Sequence, residues 1–143
     1  MRAGSSPAPG TKIIIMIEKL NILVVDDNDL NQQLVICKLR KFNHNIIVAN
    51  NGLEALELFK TQKFHFILMD LMMPIMDGYE ATIKIREEEQ LKDSERTPII
   101  AFTANTMNNE ENKYLLYDMD DFMTKPFDIE KLKTILLKNS IIL

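Results

Sequence analysis

The chain has 143 residues, 46% of them hydrophobic and 27% charged, the composition of one globular domain large enough to bury a core. A net charge of −4 gives no electrostatic footprint for nucleic acid, and no apolar stretch is long enough to span a bilayer as a helix. The single cysteine, Cys37, excludes an internal disulfide, fits a reducing compartment and needs no chemical role.

In chain order, residues 1–17 read as a flexible leader or an expression remnant. Met1 to Lys12 is rich in Pro, Gly, Ser and Ala, the apolar run Ile13 to Ile17 is short, and Met16 offers an alternative start. A single domain is expected over 18–143. Ile22 to Val25 predicts a strand apolar on both faces, ending on the adjacent acids Asp26 and Asp27. "DLNQQLVICKLRKF" predicts a helix with Val35, Leu39 and Phe42 on its core face and Asp29 with Gln32 as a capping box. Asn45 to Ala49 is the second strand, followed by a helix with Asn51 and Glu54 as a box. "FHFILMD" is a strand ending on Asp70; the next helix opens on Asp77 and Glu80, and its tail "REEEQLKDSER" reads as a solvated helix end and loop. Pro98 to Phe102 is a strand ending at Thr103, and the following helix is assigned a box of Asn108 and Glu111. "DFMT" is a short strand ending at Lys125. The last helix is capped by Asp128, with Phe127 and Leu132 as a hydrophobic staple. Five strands alternating with five helices predict a parallel sheet covered on both faces.

In an open α/β sheet of this kind the site lies beyond the carboxyl ends of the strands. The first strand brings Asp26 and Asp27 there, the third Asp70, the fourth Thr103 and the fifth Lys125; the second ends blandly on Asn50 and Asn51, as an edge strand would. Converging carboxylates demand a hard cation, and oxygen ligands with room for water suit Mg²⁺. A carboxylate-held Mg²⁺ beside a lysine and a threonine hydroxyl is an apparatus for a phosphoryl group, with a carboxylate available as nucleophile. Each residue alone has a plainer reading: turn former for an aspartate, loop threonine, solvated lysine. Only the constellation lifts them above it. His44 and His65 show neither metal spacing nor a nucleophile partner.

Five stretches carry a resemblance: "ILVVDDNDLNQ", "NGLEAL", "ILMDLMMPIMDGYEAT", "PIIAFTAN" and "DDFMTKPF". In this order they resemble the receiver domain of two-component response regulators. The resemblance implies a doubly wound, flavodoxin-like α/β fold with a five-stranded parallel sheet of order 2-1-3-4-5. It implies Asp70 as phosphoacceptor, Asp27 and Asp70 as direct Mg²⁺ ligands with Asp26 acting mainly through water, and the Met72 backbone carbonyl as a further ligand. Lys125 would pair with the phosphoryl group, Thr103 would move to bond it, Phe122 stands at the switch aromatic, and the Lys125–Pro126 bond would be cis. The implied function is Mg²⁺-dependent acceptance of a phosphoryl group from a histidine kinase or histidine phosphotransfer protein, followed by a conformational switch, without multiple-turnover catalysis.

"DDNDLNQ", "MPIMDGYEAT" and "TAN" are more similar to receivers fused to hybrid sensor histidine kinases than to those joined to DNA-binding domains. The chain carries no kinase core and no output domain, so the expectation is a receiver belonging to a larger kinase or a stand-alone one, in the cytoplasm, without nucleic-acid or direct membrane contact. A dimer is left open. Asp118 departs from the family's usual glycine at a helix end, where a left-handed backbone is cheap only for glycine. An aspartate-nucleophile phosphatase would want a second acid two residues after the nucleophile, and that place is Met72; an FMN protein would want a Gly- and hydroxyl-rich loop where "DDNDLNQ" stands. A second apolar stripe on the first helix, Leu30, Leu34 and Cys37, lies to one side of the core stripe. It is expected to dock a phosphohistidine-bearing helical bundle unless the sheet covers it.

Overall fold

A computed structural model describes residues 19–104 and 110–143, with side chains omitted at 110–112. The leader and the box assigned to Asn108 and Glu111 lie outside the described residues. The elements are β1 (Asn21–Val25), α1 (Asp29–Leu39), β2 (Asn45–Ala49), α2 (Gly52–Thr61), β3 (Phe66–Met69), α3 (Gly78–Lys92), β4 (Ile99–Thr103), α4 (Glu110–Leu116), β5 (Asp121–Thr124) and α5 (Ile129–Lys138). The sheet is parallel throughout, in the order β2-β1-β3-β4-β5. Successive side chains of a strand point to opposite faces, and the cores divide accordingly. Leu23, Val25, Ile67, Met69, Ile99 and Ala101 join α2 and α3 on one face. Ile22, Val24, Phe66, Leu68, Ile100 and Phe102 join α1 and α5 on the other. Fully burying one such large side chain contributes about 2 kcal/mol.

The helix starts follow from short polar caps. Asn51 accepts from the Glu54 N–H, Asp77 from the Glu80 N–H, and Asp128 from the Glu130 and Lys131 N–H groups. Phe127 and Leu132 are buried in one cluster, as a staple requires. The start of α1 is a correction. Its cap is Asn28, which accepts from the Asn31 N–H at 3.0 Å, so Asp29 is already helical and the Asp29–Gln32 box does not form. Asn28 wins because it is the extended residue immediately before the helix, where a cap must sit. Helix α1 also stops at Leu39. Phe42 lies in a 3₁₀ turn over Arg40–Phe42, half-buried against the α1/α5 cluster with the Lys41 and Lys133 ammonium groups over its ring.

The tail of α3 is a second correction. Arg86 and Glu89 are buried, not solvated. The Arg86 guanidinium donates to both Glu89 oxygens, to the Thr97 and Asp118 carbonyls and to Asp120 Oδ2, while Glu89 Oε2 accepts from the Thr97 N–H. A buried guanidinium persists only when its donors are satisfied in this way. The network ties the end of α3 to the turn before β5, where Asp118 has φ 66°. Arg96 donates to the Asp118 carbonyl and carboxylate, and these contacts hold a non-glycine residue in the left-handed region. His44 and His65 accept through Nδ1 from the Leu20 and Asn21 N–H groups, fixing the entry to β1.

Candidate metal and phosphoryl site

The parallel sheet delivers its strand ends to one rim. Asp26 and Asp27 follow β1, Asp70 follows β3, Thr103 closes β4 and Lys125 follows β5. One carboxylate oxygen from each of Asp26, Asp27 and Asp70 lies within 4.8 Å of the others. Asp26 and Asp70 are buried and Asp27 is exposed, so the group opens to solvent on one side.

Each acid is held differently. Asp26 N–H donates to the Ala49 carbonyl, and Asp26 Oδ1 accepts from the Asn28 N–H at 2.9 Å. Asp26 Oδ2 is buried and, among the described residues, accepts no well-directed hydrogen bond; its compensation is the Lys125 ammonium at 2.8 Å. The Asp70 N–H donates to the Val25 carbonyl, and Asp70 Oδ2 lies 3.4 Å from Lys125 Nζ. Gly78 packs so close to the Asp70 carbonyl that a Cβ there would collide with it, so the start of α3 fixes the Asp70 backbone.

Burial pushes the Asp70 carboxyl up to about 6; Lys125 opposes the shift and the neighbouring Asp26 charge adds to it. Burial works against the Lys125 ammonium, but Asp26 and Asp70 outweigh it and hold its pKa above the ordinary value. The Lys125–Pro126 bond is cis, and the Lys125 N–H donates to the Thr103 carbonyl, joining the ends of β4 and β5. Thr103 is 2% exposed.

The remaining predicted residues frame the rim. Met72, two residues past Asp70, is exposed. Phe122 is half-buried on β5 and stacks on Tyr114 of α4, with ring centroids 5.8 Å apart. Leu30 is 80% exposed, Leu34 is 40% exposed and Cys37 is exposed, so the sheet covers neither leucine and the second stripe faces outward. A separate cleft of 480 Å³ at the amino ends of the strands, over Phe59, Phe64 and Ile141, carries Glu95 as its lone carboxylate and offers no comparable acid cluster.

Sequence reasoning missed the groups behind the acids. Gln32 is buried, donating through Nε2 to the Asp26 carbonyl and to Asn50 Oδ1, and Asn50 is held in turn by Glu54. The signal was an amide on the Val35 and Leu39 side of α1, which cap-box spacing explained away.

The donor set fits a hard divalent cation. Three carboxylates converge, one of them with a buried oxygen lacking a directed hydrogen bond, and no softer nitrogen or sulfur ligand joins them among the described residues.

Residues 22–137 match the family model described as response regulator receiver domain. The hybrid signal transduction histidine kinase G of Dictyostelium discoideum is 37% identical over 127 residues, which cover 87% of this chain and 4% of that protein. This chain therefore spans a small fraction of that relative's length. Among solved structures, the receiver domain of the sensor histidine kinase PA1611 from Pseudomonas aeruginosa, with magnesium coordinated in its active-site cleft, is 35% identical with TM-score 0.74. That match covers 85% of this chain and 97% of that one. A co-crystal of the Saccharomyces cerevisiae phosphotransfer protein Ypd1 with the receiver domain of Ssk1 matches at 35% identity and TM-score 0.75, over 82% of this chain and 86% of the matched one.

Proposed function

The chain belongs to the receiver domain family of response regulators, and on that premise we propose that Asp70 accepts a phosphoryl group from a phosphohistidine in a Mg²⁺-dependent reaction. The observation that carries this reading is the three-carboxylate group within 4.8 Å, with the Lys125 ammonium 2.8 Å from Asp26 and 3.4 Å from Asp70.

Asp26 is also buried and lies nearer Lys125, but its Oδ1 is engaged by the Asn28 N–H; Asp70, at the end of the central strand β3, is the acceptor by its match to the receiver pattern. Attack by one Asp70 oxygen on the phosphorus forms the acyl phosphate, and the imidazole leaves with its electron pair. Asp27, Asp70 and the Met72 carbonyl would hold the cation directly, and Asp26 would act mainly through water. When bound, Mg²⁺ neutralises the phosphoryl oxygens and removes their repulsion from the acids. Lys125 leaves Asp26 and Asp70 to pair with the new phosphoryl charge. Thr103 donates its hydroxyl to a phosphoryl oxygen, and that movement opens space for Phe122, whose ring lacks a hydroxyl and responds by burial alone. This step couples the rim to α4 through the Tyr114 stack.

The partner surface is the outward stripe of Leu30 and Leu34, beside the acids. An exposed apolar patch at the mouth of a reactive site suits a helical bundle that carries the phosphohistidine. The likeness to receivers of sensor kinases supports a parent hybrid kinase, with a stand-alone receiver as the second reading; the receiver itself is read as cytoplasmic. Among the described residues no helix is long and apolar enough to cross a membrane. Incubation with a phosphohistidine-bearing phosphotransfer domain tests the reading. Label should move to the parent chain when Mg²⁺ is present and should not move to Asp70→Asn; equal transfer to both rejects it.

A further inference from the structure

Asp27 is the least supported of the three acids. Its side chain is exposed, and no hydrogen bond holds its carboxylate among the described residues. Its place is set by the peptide that joins it to Asp26. The carbonyl of that peptide accepts from Gln32 Nε2, and the peptide before it is held by the Asp26 N–H, which donates to the Ala49 carbonyl of β2. Gln32 is 6% exposed and spends its second amide hydrogen on Asn50 Oδ1 at 2.8 Å. Glu54 Oε1 accepts from both the Asn50 N–H at 2.9 Å and Asn50 Nδ2 at 3.1 Å, turning the Asn50 carbonyl toward Gln32. The direction of the whole relay is therefore determined. Flipping the Gln32 amide would set its oxygen against two acceptors with nothing to donate.

We propose that Gln32 is a positioning residue for the metal acids, acting through the Asp26–Asp27 peptide and held in register from α2 by Asn50 and Glu54. The inference rests on the metal-dependent reading above and deepens it. A ligand whose carboxylate has no hydrogen-bond support of its own is placed only as well as its backbone, and a buried donor on that backbone carbonyl resists rotation of the peptide. The relay also joins the loop after β1 to the loop after β2, beyond the last backbone bond between them, Asp26 N–H to the Ala49 carbonyl.

The test is Gln32→Met, which keeps the volume and removes both donors. Calorimetric titration with MgCl₂ near neutral pH should show affinity about tenfold weaker than in the parent chain. Labelling by a small phosphodonor should be slower at low Mg²⁺ and recover to the parent rate at saturating Mg²⁺, a split that mere loss of packing would not give. Asn50→Ala, at an exposed position, should weaken Mg²⁺ binding in the same direction. Combined with Gln32→Met it should add nothing further, because both act on one relay. Parent-like affinity in a cooperatively folded Gln32→Met overturns the inference alone. If that variant does not fold, parent-like affinity in Asn50→Ala overturns it instead. Absence of Mg²⁺ binding by the parent chain overturns the metal reading, and this inference with it.

Discussion

Lys125 Nζ lies 2.8 Å from Asp26 Oδ2, a buried oxygen that accepts no directed hydrogen bond from any other described group. The ammonium therefore faces both acids and offsets the repulsion between them. Lys125→Met should cost on the order of 3 kcal/mol in EDTA near neutral pH, the usual cost of stripping one partner from a buried charge pair. The loss should shrink toward pH 4, as Asp70 protonates, and should shrink on adding Mg²⁺. Urea unfolding at the two pH values, with and without metal, reads all of this; a loss independent of both would contradict it.

The Asp70 carboxyl, raised to about 6 by burial, gives a signed pH dependence. Its folded value lies above its unfolded one, so its contribution to stability is fully present below about 4 and is lost as pH rises through about 6. Asp70→Asn should therefore be more stable than the parent in EDTA at neutral pH, by on the order of 2 kcal/mol once solvent access at the mouth is allowed for. The two should converge near pH 4. For the same reason a proton competes with the metal, and Mg²⁺ affinity of the parent should fall about tenfold per pH unit below 6.

The fold was legible because strand and helix periods alternate cleanly and each strand ends at a polar residue. Asp26, Asp27, Asp70, Thr103 and Lys125 arrive on one rim because a parallel sheet points all its carboxyl ends the same way. What stayed hidden depends on contacts between distant segments. Arg86 and Glu89 look like any charged helix tail, and only their partners at Thr97, Asp118 and Asp120 make them core. Gln32 matched a cap-box spacing from Asp29, but Asn28, one residue earlier, took the cap and freed the amide for Asp26.

The Arg86 network should be unequal in its parts. Glu89→Ala leaves a buried guanidinium short of a carboxylate and strands the Thr97 N–H, and should cost about 3 kcal/mol or more. Arg96→Ala removes an exposed partner of Asp118 and Asp120 and should cost less than about 1 kcal/mol. Urea midpoints of the two variants check the contrast, and similar losses would contradict the division into buried and exposed halves.

Leu34 sits on the outward stripe of α1, 40% exposed. Leu34→Asp should leave thermal stability and labelling by a small phosphodonor near the parent values, while slowing transfer from a phosphohistidine protein severely. Parallel rate measurements with the two donors decide it. If both reactions survive, the docking face lies elsewhere on the molecule; if both fail, Leu34 serves the core.

The central claim is that Asp70, among the rim acids, takes the phosphoryl group and needs a divalent cation to do so. Intact-mass spectrometry after incubation with a small phosphodonor tests it most directly. The parent chain should gain the mass of one phosphoryl group when Mg²⁺ is present and none in EDTA, and Asp70→Asn should gain none in either. Equal labelling of the parent and Asp70→Asn, or labelling of the parent undiminished in EDTA, would contradict the account.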